Sequence, residues 1–136
     1  MRLFLCGLYV VAGLFHLLKP APFLTITPAW VPAPQAVIFA TGLCELGGAF
    51  ALLFVPRLRR AAGIALALYA VCVYPANINH ALLDQSGGPR ALGLWYHIPR
   101  LLLQPVLVWA TLYAVAIVNW PFKTAPRQKP VRDTAH

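Results

Sequence analysis

Residues 35–83 read QAVIFATGLCELGGAFALLFV, then PRLRR, then AAGIALALYAVCVYPANINHALL. Two apolar segments, 35–55 and 61–83, are separated only by Pro56 and the basic turn Arg57-Leu58-Arg59-Arg60. About 20 apolar residues in a helix cross the hydrocarbon core of a bilayer, and a proline stops a helix by removing an N–H and crowding the preceding turn. The stretch therefore predicts two helices of membrane-crossing length joined by a cationic turn. Short loops rich in Lys and Arg are retained on the cytoplasmic side, which assigns the turn to the inside.

Working outward, Leu3 to Leu18 follows Arg2 and forms the first span, 3–18. At about 24 Å it is slightly short, and no small-residue cleavage site follows that would mark a signal peptide. From Lys19 to Pro34, five prolines alternate with Phe23, Ile26, Trp30 and Val31. This segment is too apolar for water and too rich in proline for a regular helix, so it is expected as an outer loop lying along the membrane face. Ser86-Gly87-Gly88-Pro89 marks a second outer loop. The fourth helix is expected over 95–120, with Pro99 and Pro105 in its first half and Pro121 closing it. Residues 121–136 read as a basic, disordered cytoplasmic tail.

The composition agrees. The 136 residues are 60% hydrophobic and 10% charged, with a mean hydropathy of +0.71. Four spans with short connections consume this length, leaving a single transmembrane domain over 1–120 and no soluble one. The net charge of +8 would suggest nucleic acid on a soluble chain, but here it is a topology signal. With both termini inside, eight of the eleven basic residues are cytoplasmic, leaving Lys19, Arg90 and Arg100 toward the outside. The expected fold is an all-α, integral-membrane four-helix bundle, N-in and C-in. Cys6, Cys44 and Cys72 all lie in apolar runs without a C-x-x-C spacing, so thiol exchange is poorly supported.

An ionisable group inside the bilayer is costly and normally faces the bundle interior or a cavity. Those that hydropathy places there define the candidate ligand pocket: His16, Glu45, Asn77, His80, His97, Arg100 and Gln104, with Asn79 nearby. At 1.5 Å per residue all fall in the outer half or at the midplane, Glu45 roughly 15 Å below the start of its helix. Helical spacing gives each helix one polar stripe. The stripes are Tyr9, Gly13 and His16; Thr41, Glu45 and Gly48; Tyr74, Asn77 and His80, with Asp84 beyond the membrane; and His97, Arg100, Gln104 and Thr111. Four inward stripes make a polar pocket beneath the proline-rich loop, above a dry cytoplasmic half. Glu45 and Arg100, the two opposite charges at depth, are expected to pair directly or through Gln104. The same pair read as scaffold would only lock helix register. Histidines at unequal depths without an E-x-x-H pair do not make a metal centre, and none is assigned.

The motifs carry a family resemblance. Ala12-Gly13-Leu14-Phe15-His16 with Lys19-Pro20 and the spaced Pro28, Pro32 and Pro34 comes first, followed by Thr41-Gly42-Leu43-Cys44-Glu45-Leu46-Gly47-Gly48-Ala49. Tyr74-Pro75-Ala76-Asn77 and then Arg100 and Gln104 complete the series. In this order, over Ala12 to Trp109, the chain resembles the DoxX and DoxX-like small membrane proteins. That resemblance implies a four-helix membrane bundle. Relatives include a subunit of an archaeal thiosulfate:quinone oxidoreductase, which implies a redox setting without naming a reaction. Two departures stand out. Leu102 replaces the proline of the family's R-x-P-x-Q, with Pro99 placed before the arginine, and His80 stands where methionine is common.

These readings converge on a DoxX-like bacterial inner-membrane protein, a membrane component of a redox-linked system that meets a quinone headgroup in its outer pocket. The alternatives are a non-catalytic membrane scaffold or assembly partner, and a small-molecule transporter subunit. The chain has no nucleophile-base set and no cofactor loop, so it reads as a subunit rather than a self-contained enzyme. Its partners are the lipid bilayer and a redox protein, with oligomerisation open.

Overall fold

The computed structural model describes residues 1–86 and 92–121. Among them the chain is all-helical: α1 (Arg2–Leu18), α2 (Ala21–Ile26), α3 (Pro34–Phe54), α4 (Arg59–Gln85) and α5 (Leu94–Ala114). The tail from 122 onward lies outside the described residues, as do 87–91 of the second outer loop.

The helix ends follow local chemistry. Pro34 sits in the first turn of α3, where a missing N–H costs nothing. The α3–α4 turn is tightened by Arg59, whose Nε donates to the Leu52 carbonyl at 3.0 Å and whose Nη2 donates to that of Leu53 at 3.4 Å. A cation thus satisfies the free carbonyls at the negative end of α3. Pro75 lies inside α4 and leaves the Val71 carbonyl without its helical donor.

Two expectations are corrected. The proline-rich segment contains a helix after all. Pro20 caps α2 and Pro22 falls in its first turn, positions where the proline penalty does not apply. The last helix ends at Ala114, not 120. The Ala116 N–H donates to Tyr113 O at 3.1 Å and the Ile117 N–H to Leu112 O at 3.0 Å, with Ala116 at φ 57°. This 6→1 and 5→2 pair is a Schellman closure, made here with alanine at the left-handed position glycine usually takes.

The long helices pack in antiparallel succession. Cys6 meets Ala49 and Gly13 meets Gly42 across α1 and α3; Gly48 meets Leu66 across α3 and α4; Gly63 meets Val115 and Asn77 meets Gln104 across α4 and α5. The most extensive contacts are α1 with α3 and α4 with α5, whereas α1 and α5 barely touch. A dry core fills one end: Leu5, Cys6, Tyr9, Ala49, Leu52, Leu66 and Val115. Within it the Tyr9 hydroxyl bonds that of Thr111 at 3.0 Å, tying α1 to α5. Outward faces of all four long helices carry exposed large apolar side chains, among them Phe4, Phe15, Phe39, Phe50, Leu68, Val71, Leu102 and Val106. Two helices, α3 and α4, are long and apolar enough to cross a membrane.

Candidate functional site

The end opposite the dry core holds a cavity of about 370 Å³, roofed by Phe23, Thr27, Pro28, Trp30 and Val31. Its first polar group comes from α1 and α3. Gly13 and Gly42 lack side chains where the helices cross: a Cβ on Gly13 would lie 2.9 Å from the Gly42 carbonyl oxygen. One turn beyond each glycine stand His16 and Glu45. Side chains lean toward the N-terminus of their helix, so on antiparallel helices these two lean toward each other across the contact. His16 Nδ1 meets Glu45 Oε2 at 2.8 Å and the Ala12 carbonyl at 3.0 Å. Two acceptors on one nitrogen assign it the proton. The His16 ring stacks on Phe23 of α2 with centroids 3.9 Å apart, fixing the roof to the pair.

The second polar group comes from α4 and α5. Arg100 donates from Nη2 to Asn77 Oδ1 at 2.6 Å and from Nη1 to His80 Nδ1 at 2.7 Å, and lies over the Tyr96 ring. Asn77 Nδ2 donates to Gln104 Oε1 at 2.6 Å, and Gln104 Nε2 donates to the Ala70 carbonyl at 2.6 Å. Each donor is thereby oriented by the next. Among the described residues no carboxylate pairs with Arg100, so its charge is met by neutral partners alone. Among the described residues its hydrogen bonds use two of the five guanidinium N–H groups.

A third cluster lies beside the second, the His97 ring meeting that of His80 with centroids 4.8 Å apart. Asp84 Oδ2 accepts from the Leu92 N–H at 2.7 Å, the Gly93 N–H at 2.9 Å and His97 Nε2 at 3.0 Å. It staples the end of α4 to the start of α5. His97 is fully buried, and its Nδ1 has no hydrogen-bond partner.

Of the seven sequence-predicted residues, His16, Glu45, Asn77, Arg100 and Gln104 line the cavity. His80 stands behind Arg100, and His97 is turned to Asp84 instead. The expected Glu45–Arg100 pair is not formed. The glycine contact brings His16 to Glu45 first, while Asn77 and His80, one α4 turn apart, hold Arg100. The displaced proline at 99 does not turn Arg100 away from the cavity. Sequence reasoning missed Tyr69, which lines the cavity and interacts with both Glu45 and Thr41. Its place two turns before Asn77 on the same stripe was the available signal.

His80, Asp84 and His97 bring three donor atoms within 4.8 Å of one another. A second cation there would face the Arg100 guanidinium, 2.7 Å from His80 Nδ1, and an Asp84 oxygen already taken by three donors. The cluster is organised as a hydrogen-bonded clasp.

Fold and site together define a small all-helical protein with a polar cavity roofed by a proline-rich segment and set over a dry core. Residues 5–115 match a family described as a domain of unknown function, DUF8561, and the chain belongs to that family. Comparisons with curated proteins and with solved structures give no match.

Proposed function

We propose that this is a DoxX-like, multi-pass protein of the bacterial inner membrane, a four-helix transmembrane bundle with both termini inside. Its cavity takes a quinone headgroup as part of a redox-linked system. The membrane reading is supported by the apolar outer faces of α1, α3, α4 and α5, since soluble monomers rarely expose apolar patches beyond a few hundred Å². The Arg57–Arg60 turn and Arg2 supply the positive-inside asymmetry.

The observation that carries the ligand reading is the division of polar groups between two walls of one cavity. The His16–Glu45 pair and Tyr69 stand on one side, and Arg100, Asn77 and Gln104 on the other. A quinone ring is flat and apolar with a hydrogen-bond acceptor at each end. Arg100, lacking an anionic partner, favours negative charge developing on one carbonyl oxygen as the ring is reduced. At the opposite end the Tyr69 hydroxyl offers a proton, and the His16–Glu45 pair that it adjoins passes one on to replace it. Electrons come from a redox protein partner.

Protein purified from native membranes is expected to carry quinone detectable by mass spectrometry. A chainless dimethoxymethylbenzoquinone is expected to bind wild type and to be lost in Arg100→Met. Wild-type protein that neither copurifies with nor binds quinone refutes the reading. It would leave a membrane scaffold, for which the largely internal bonding of Asn77, Gln104 and Asp84 is the favouring observation. For topology, phosphatase fused at Ser86 is expected to be active and phosphatase fused to the tail inactive.

A further inference from the structure

The cavity has a side exit. Along the seam where α1 and α5 barely touch runs a second hollow of about 700 Å³, lined by Met1, Phe4 and Leu5 from α1 and by Leu103, Val106 and Ala110 from α5. It is apolar except at one place. Leu8, Arg100, Gln104 and Leu107 border both this groove and the polar cavity, so the two spaces abut where the cationic wall stands. The groove opens on the outer face of the bundle, where Phe4, Leu103 and Val106 are exposed. From the junction it runs toward Met1 and Ala110 at one end and toward Trp95 and Tyr96 at the start of α5 at the other.

A polar chamber joined to an apolar, laterally open slot is the shape of an amphiphile, head inside and chain outside. We propose that the α1–α5 seam is the passage by which a membrane-dissolved quinone enters, with its isoprenoid chain left lying in the groove while the headgroup sits against Arg100 and Gln104. This rests on the headgroup reading above and adds the route and the seat of the chain. On the roof side, Phe23 is stacked on His16 and the α2 end is held by Asn79 Nδ2 on the Ile26 carbonyl at 2.9 Å, so a chain-bearing quinone meets a tethered segment there. Groove walls and lipid tails are equally apolar, so the chain gains little by lying in one rather than the other. The groove therefore governs passage, and chain length alone changes affinity little.

The test uses full-length protein in phospholipid nanodiscs with two probes, the chainless dimethoxymethylbenzoquinone and its decyl homologue. Val106 lines the groove and not the cavity, so Val106→Trp fills the slot without touching the headgroup contacts. Wild type is expected to bind both probes. Val106→Trp is expected to bind the chainless probe within about twofold of wild type and the decyl homologue at least about tenfold more weakly. Equal binding of the decyl homologue by the variant overturns the passage and leaves the headgroup reading standing. Wild type that binds neither probe refutes the headgroup reading and the passage with it. A decyl homologue with a terminal diazirine, applied to wild type, keeps the question decidable if the variant does not fold. Labelled peptides from α1 or α5 are expected, and labelling confined to α3 and α4 overturns the proposal.

Discussion

Replacing Gly13 with alanine tests the contact that creates the His16–Glu45 pair. The new Cβ would lie 2.9 Å from the Gly42 carbonyl oxygen and 2.9 Å from Leu46 Cγ. An oxygen of the backbone cannot rotate away, so α1 and α3 must separate by a few tenths of an ångström. Overpacking of this kind costs about 1 to 3 kcal/mol. The same displacement acts on the 2.8 Å bond between His16 Nδ1 and Glu45 Oε2 one turn away, a bond to a charged group that contributes about 1.5 to 3 kcal/mol when intact. Gly13→Ala is therefore expected to lose at least about 1 kcal/mol of stability and, on the proposed function, to weaken quinone binding together with it. The control is internal. A Cβ at Gly7 meets nothing within 4 Å, and there alanine should be neutral or stabilise by about 0.5 to 1 kcal/mol through helix propensity. Unfolding free energies in mixed micelles, measured by denaturant titration for both variants, check this. Gly13→Ala melting like Gly7→Ala would show that the two helices are not held at glycine distance.

Three further outcomes are expected. His16→Ala strands the nearly buried Glu45 carboxylate and should cost about 3 kcal/mol, while His16→Ala combined with Glu45→Leu should recover much of it; simple additivity in a double-mutant cycle would contradict the pairing. Ala116→Gly relieves the left-handed strain at the α5 terminus and should stabilise by about 0.5 to 1 kcal/mol, a change in the opposite sense in thermal melts speaking against the Schellman closure. Arg100→Lys keeps the charge but cannot span Asn77 and His80 at once, so, on the proposed function, quinone binding should weaken about tenfold with the melt nearly unchanged; affinity equal to wild type would mean that charge alone suffices.

Hydropathy made the helical segments legible, because long apolar runs bounded by proline, glycine and arginine admit few other readings. Expected bounds for the first two spans, 3–18 and 35–55, differ from α1 and α3 by a single residue at each shifted end. The end of α5 was hidden because alanine took a left-handed position that sequence rules reserve for glycine. Helix α2 was hidden because the proline penalty was applied to the first turn, where it vanishes. Within the site, residue types and depth were readable from stripes, but partners were not. Which carboxylate meets which cation depends on how close two backbones come. That distance was set by Gly13 and Gly42, whose role as a contact appears only when α1 and α3 are laid side by side. Asp84 was assigned to solvent for a similar reason, since the backbone N–H groups of Leu92 and Gly93 reach it only through the return of the chain.

The pairing of helices has a mechanical consequence. α1 with α3 forms one tightly held unit and α4 with α5 another, joined along α3–α4, where Tyr69 meets Glu45 and Thr41, and by the Tyr9–Thr111 bond. Each unit contributes one polar group to the cavity, with Tyr69 of α4 reaching across to Glu45. A molecule wedged between the walls acts as a strut across an otherwise thin joint, and its arrival or departure alters how freely the two units hinge about α3 and α4. The stiffness of the whole bundle thus reports on whether the chamber is filled, at sites far from the chamber itself.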